Sequence, residues 1–333
     1  MKTTKFLAGL VATLALATFS TGVLADKSQW PKSVTIGTAS LGGTYFIYGG
    51  GWAQLISEVV GVPAAVENTG GPADNAVLVS NGVHAFGMVT LGPAYDAWTG
   101  NSPLAPGQEF KDMRAIFPMY ATPFTVVTLK SSGIDEIGKL NKKRVGPGPA
   151  SGTAGAFVPR FLKDVNVDAT IQNGSWNDLA RNMQDGQLDA VFFGAGIPVS
   201  AASAIEAQQA INVFSFSDAQ RQMLLDKYPF LVPFNVPKGT YKAVTADMPT
   251  VAIWNFAIAN KDLPDDFVYA VVKAVMENND RMMQTHKTAK STVPANVDKN
   301  GFLWMHPGAI KYFEEKGYSV PDNLYPPEYK KRG

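Results

Sequence analysis

Two stretches of this chain present the same parts in the same order. In the first, apolar Val34-Thr35-Ile36 runs into Gly37-Thr38-Ala39-Ser40-Leu41-Gly42-Gly43-Thr44-Tyr45, and helix-compatible residues follow from Ile47 to Val60. A second strand is expected over 62–66, broken by Glu67-Asn68-Thr69-Gly70-Gly71-Pro72. A helix over 74–80 then ends at Asn81-Gly82, and a third strand over 85–89 leads into Thr90-Leu91-Gly92-Pro93. In the second stretch, Lys143-Arg144-Val145 enters Gly146-Pro147-Gly148-Pro149-Ala150-Ser151-Gly152-Thr153 before a helical run to Leu162. A strand over 167–171 precedes Gln172-Asn173-Gly174-Ser175, a helix over 177–184 stops at Asp185-Gly186, and a strand over 188–193 ends in Gly194-Ala195-Gly196-Ile197-Pro198. Strands that alternate with helices define an α/β chain with parallel strands. Three echoes in one order predict two lobes built on one plan.

The joins are predicted from composition. Phe124 to Leu129, within the stretch 118–130, reads as an extended segment crossing from lobe to lobe. A second crossing is expected between Pro233 and Thr250, where Pro233, Pro237, Gly239 and Pro249 forbid a long helix. A strand over 250–259 and a helix over 262–281 follow, the helix with acids at its start where the dipole favours them. Two crossings return the last third of the chain to the first lobe. The expected division is a leader at 1–25, a first lobe at 26–125, a second at 126–244, and a return with a Pro-rich surface tail at 245–333.

Composition bears on where the chain works. Lys2 and Lys5, the small apolar run from Phe6 to Phe19 and Val23-Leu24-Ala25 have the form of a secretory leader cleaved before Asp26, placing the mature protein in the periplasm. Without Lys2 and Lys5 the 29 basic residues fall to 27 against 28 acidic, and no basic block suggests nucleic acid. With no cysteine, disulfides and thiolate metal sites are excluded. Hydrophobic residues at 46% supply an ordinary core.

The residues needed for catalysis do not assemble into a pattern. Gly146 and Gly148 have dinucleotide spacing, but Ser151 occupies the third position and Pro147 and Pro149 stiffen the turn. Ser40 and Ser151 lack the Gly-x-Ser-x-Gly setting. His84 falls in a turn expected at the surface, His286 follows a long helix, and His306 precedes Pro307 where it can cap a helix. Trp52 has the spacing of a core residue; Tyr45 and Trp176 suit either core or crevice. No metal or cofactor is expected. Ser/Thr/Asn/Gly loops at strand ends, duplicated in two lobes, suit capture of a small ligand better than catalysis.

Taken together, Thr-Ala-Ser-Leu-Gly-Gly-Thr-Tyr, Asn-Thr-Gly-Gly-Pro-Ala-Asp-Asn, Gly-Pro-Ala-Ser-Gly-Thr, Leu-Asp-Ala-Val-Phe-Phe-Gly-Ala-Gly-Ile-Pro, Pro-Lys-Gly-Thr-Tyr and His-Pro-Gly-Ala occur here in order. As a set they resemble the TAXI family of solute receptors for TRAP transporters. The resemblance implies a two-lobed periplasmic-binding-protein-like fold of type II, each lobe a sheet flanked by helices. It also implies transport partners, the membrane subunits of a transporter driven by an ion gradient, and a small organic acid such as glutamate or 2-oxoglutarate as ligand. Carried over by position, it implies a pocket from Ser40, Gly43, Thr44, Tyr45, Asn68, Thr69, Gly70, Thr90 and Leu91 in one lobe. The other lobe would add Ala150, Ser151, Gly152, Thr153, Gln172, Phe193 and Gly194. Pro72 departs from the family's usual Ser, which either alters the ligand or removes a helix cap.

None of these loops carries Arg or Lys, although helix N-termini can hold a carboxylate without a cation. The expected ligand is therefore a dicarboxylate, keto acid or acidic amino acid bound by a monomer. Two alternatives stay open from sequence: an exported α/β hydrolase or transferase on the same fold, and a sensor that docks on a receptor kinase.

Overall fold

A computed structural model describes residues 27–329. The expected leader and its cleavage position lie outside the described residues. The first stretch folds as β1 (Val34–Gly37), α1 (Thr44–Leu55), β2 (Ala64–Glu67), α2 (Pro72–Ser80), β3 (Phe86–Thr90) and α3 (Leu91–Trp98). The long β4 (Met113–Leu129) follows, buried along almost its whole length. The second stretch folds as β5 (Arg144–Gly146), α4 (Thr153–Asp164), β6 (Thr170–Ile171), α5 (Trp176–Gln184), β7 (Ala190–Gly194), α6 (Ser200–Gln208), β8 (Ile211–Phe214) and α7 (Asp218–Lys227). The chain then returns through β9 (Leu231–Val236), β10 (Met248–Asn260), α8 (Asp265–Glu277), α9 (Asn279–Thr285) and α10 (Pro307–Glu315).

The strands pair in the order β2-β1-β3-β10-β4-β7-β5-β6, with β8 also on β4 and β9 on β10. Two equivalent half-sheets are contained in that order. One is β2-β1-β3-β10-β4 and the other β6-β5-β7-β4-β8. In each, three parallel strands are followed by a long strand running against them. The duplication expected from the sequence is thus a duplication of topology. β4 belongs to both halves: Met113 to Pro123 pair with β10, and Phe124 to Leu129 pair with β7 and β8. Helices cover the sheet faces, so central strands such as β3 are buried on both sides.

Three sequence expectations are corrected. The stretch from Pro233 to Thr250, expected as the second crossing, is in part strand: its ends belong to β9 and β10, which pair with each other. Pro233 lies inside β9 opposite Val251, and β9 is an edge strand, the setting in which a sheet tolerates proline. The single helix over 262–281 is two, because the Asn278 side chain donates to the Ala274 carbonyl (2.8 Å) and the chain turns there. His84 is buried, not surface, with Nε2 3.0 Å from Glu67. Its ring fills the space left by the missing Cβ of Gly37, where an added carbon would meet Nδ1 at 2.8 Å. The other histidines follow expectation: His306 caps α10, accepting from the Gly308 N–H, and His286 is hydrogen-bonded, to the Pro198 carbonyl and the Thr288 N–H. Trp52 is core, packed between Phe86 and Phe117.

The C-terminal tail lies against the first half, Glu328 pairing with Arg114 and Tyr325 and Tyr329 donating to Glu314.

Candidate functional site

The helices α1 and α4 start in the same way. Gly43 and Gly152 hold the N-cap positions in extended conformation, and neither brings a side chain to satisfy the first-turn N–H groups. Gly71 is the N-cap of α2, also without a side chain but at a φ of 124° that favours glycine, and Pro72 takes the first helical position. Loops of this composition follow β1, β2 and β5, so all three helix ends meet where the half-sheets face each other. Between them lies a cavity of about 40 Å³.

From the first half, Ser40, Gly43, Thr44, Tyr45, Gly70 and Pro72 line it; from the second, Pro149, Gly152, Thr153, Trp176, Gly194 and Gly196. β4 adds Tyr120 and Thr122. No Lys, Arg, Asp or Glu is among the lining residues, so its electrostatics are set by helix ends and hydroxyls.

The halves are hydrogen-bonded across the cleft. Thr44 Oγ1 donates to the Gly196 carbonyl (2.6 Å), the Thr90 and Thr153 hydroxyls meet at 2.8 Å, and the Ala73 N–H donates to Ser151 O (3.2 Å). Ser200 Oγ donates to Gly42 O (2.8 Å) at the mouth. Glycines form the seam: a Cβ on Gly43 would stand 2.9 Å from the Trp176 ring, and one on Gly71 would stand 3.1 Å from Gly152 Cα. This is a closed arrangement.

One network fixes the aromatic wall. Tyr45 OH donates to Asn255 Oδ1 (2.6 Å), while Asn255 Nδ2 donates to the Tyr120 carbonyl and to Thr122 Oγ1 (2.8 Å). Trp176 lies over Phe193, ring centroids 4.7 Å apart. Two hydroxyls are left over: Ser40 Oγ and Tyr120 OH are buried and have no hydrogen-bond partner. Burial holds the Tyr120 phenol well above its ordinary pKa, with Tyr45 and Tyr48 adding to the effect, and burial does the same for Tyr45. Both stay protonated, which leaves Tyr120 as a donor facing the cavity.

Of the residues implied by resemblance, Ser40, Gly43, Thr44, Tyr45, Gly70, Gly152, Thr153 and Gly194 come together on the lining. The others sit behind or beside it. Thr90 is bonded to Thr153, Leu91 is buried at the start of α3, and Phe193 supports Trp176. The Thr69 hydroxyl donates to the Thr38 carbonyl (2.9 Å) and accepts from the Gly71 N–H (3.1 Å), holding the second loop. Ser151 packs against Gly70, Gln172 is partly buried, and Asn68 and Ala150 are exposed. Tyr120, Thr122 and Asn255 escaped sequence reading, since they lie inside long apolar strands with no turn or motif to mark them.

A cleft closed between two half-sheets joined by a shared strand defines the periplasmic-binding-protein fold. Residues 36–317 match the NMT1-like family, and the chain belongs to it. Solved structures agree on the fold. MatC (Rpa3494) from Rhodopseudomonas palustris with bound malate has a TM-score of 0.57 at 15% identity, covering 80% of this chain and 92% of that one. The periplasmic binding protein BugD gives 0.56 at 12% identity, over 88% and 100% of the two chains. R. palustris Rpa4515 with adipate gives 0.54 at 16% identity, over 78% and 88%.

Proposed function

We propose that this protein is a periplasmic receptor that captures a small organic acid between its lobes and delivers it to a TRAP-type membrane transporter. The observation that carries the reading is the pair of buried, unpartnered hydroxyls, Ser40 Oγ and Tyr120 OH, facing a cavity without charged side chains. A buried donor without a partner is costly, so a ligand that accepts from it gains more than one that meets a satisfied wall. Uncapped N-termini from opposite halves, α1 and α4, favour negative charge at two places. A dicarboxylate, keto acid or acidic amino acid offers acceptors at both. Malate and adipate, held by two of the structural neighbours, are of this chemical class.

The lobes are assigned as 26–125 with 245–333, and 126–244, the strand β4 passing from one half-sheet to the other. The leader is residues 1–25, and intact mass of the exported protein should begin at Asp26; an unprocessed chain would refute export by this route.

The test of the ligand class is a thermal-shift screen over carboxylates, amino acids, sugars and phosphates. A ligand at a hundredfold its dissociation constant adds about 2.7 kcal/mol of stability. Tyr120→Phe should weaken the best acid by about 1.5–3 kcal/mol, the range for a hydrogen bond to a charged group. A shift with a neutral sugar and none with any carboxylate would overturn the acid class, and unchanged affinity in Tyr120→Phe would remove this hydroxyl from the site.

A further inference from the structure

A second concavity lies on the other face of β4. Tyr120 and Thr122 point into the ligand cavity, whereas Ala121 between them lines a groove of about 670 Å³. Likewise Gly196 faces the cavity and Ile197-Pro198 the groove, so one thickness of backbone separates two distinct sites.

The groove has an unusual charge balance. Lys238, on the turn after β9, stands on one wall, and Lys287 and Lys290, on the 3-10 turn after α9, stand on the other. None of these ammonium groups has an ion pair or hydrogen bond among the described residues, and no Asp or Glu lines the groove. Asp247 is nearby, but its carboxylate takes the backbone N–H of Lys238. The rest of the lining mixes apolar Ile197, Phe234 and Met283 with the uncharged polar Asn235 and Thr240.

We propose that this groove docks an acidic segment of a partner protein, carboxylates meeting the three lysines and an apolar side chain seated on Ile197 and Met283. The occupant follows from complementarity. Three cations beside apolar Ile197 and Met283 match a chain that carries both features, and opposite charge also speeds encounter. The lysines are exposed, so a lone small anion would meet mainly screened charge. The surface is recessed, which suits an inserted segment better than a flat anionic bilayer.

The experiment is fluorescence anisotropy with a labelled synthetic peptide in which two leucines are flanked by glutamates, beside its glutamine counterpart. The glutamate peptide should bind, weaken with added salt, and bind roughly tenfold less tightly to a Lys238→Glu, Lys287→Glu, Lys290→Glu variant, as three exposed ion pairs would give. The corresponding triple Lys→Gln variant should fall between, and matching melting curves show that both variants fold. Equal binding by wild type and variants, or equal binding of the glutamine peptide, would overturn the proposal. So would failure of the peptide alongside lysine-dependent binding of phosphatidylglycerol vesicles, which would mean a membrane surface, or of inorganic phosphate, which would mean a simple anion site.

Discussion

His306 shows how a single residue ties the return segment to the first lobe. Its Nδ1 accepts from the Gly308 N–H (3.2 Å) and caps α10, while its backbone N–H donates to Ala115 of β4. The ring is fully buried. Burial pushes its pKa down from 6.5 to about 4, an effect the Leu263 carbonyl offsets in part. A histidine with a lowered folded pKa binds fewer protons folded than unfolded. Its contribution is therefore complete above 6.5 and is lost as pH falls toward 4, by about 3 kcal/mol in all. His306→Asn keeps a capping acceptor without a titrating ring. Urea midpoints should fall more steeply for wild type than for His306→Asn across that window, and parallel curves would show that the ring does not titrate as described.

At the scale of elements, closure depends on bare backbone where helix starts meet across the cleft. A Cβ at Gly43 would press on the Trp176 ring, which is itself backed by Phe193 and has little room to retreat. Overpacking of this kind costs about 1–3 kcal/mol. Gly43→Ala should weaken the best acid from the screen by that amount, while leaving the melting temperature without ligand nearly unchanged. Small-angle scattering should show a larger radius for this variant than for wild type at the same acid concentration below saturation; identical affinity and radius would mean that the seam does not govern closure. The elements behind this seam were legible as sequence because turn chemistry marks them: Ser40 to Thr44 and Ala150 to Thr153 advertise strand-to-helix loops. Boundaries shifted by a few residues, α1 beginning at Thr44 directly after its glycine cap. The long strands were harder to read. Nothing local distinguishes Tyr120 in β4 or Asn255 in β10 from packing residues, because their role arises from pairing across the sheet. Pro233 misled for the converse reason, since its effect depends on whether a strand is at an edge.

For the whole molecule, the architecture was legible because it is repeated, and a repeat is visible without knowing what either copy does. What the repeat hides is that the copies are unequal in chain connectivity. The half-sheet of β5, β6, β7 and β8 with the end of β4 is drawn from one continuous stretch, Phe124 to Phe214. The other half-sheet is interrupted: β3 must wait for β10, so that Phe86 can pair with Ala259. Contacts so distant in sequence require a large loop to be closed before they give any return, and they form slowly. The expected order of assembly is therefore the continuous half-sheet first and the interrupted one second. Pulse-labelled hydrogen exchange during refolding should protect amides of β7 and β8 before those of β1 and β3; the reverse order would show that the interrupted half-sheet nucleates without its last strand. A chain of this topology, halted before β10 is made, would hold one finished lobe and one sheet open along β3, with an unpaired edge ready to join another chain.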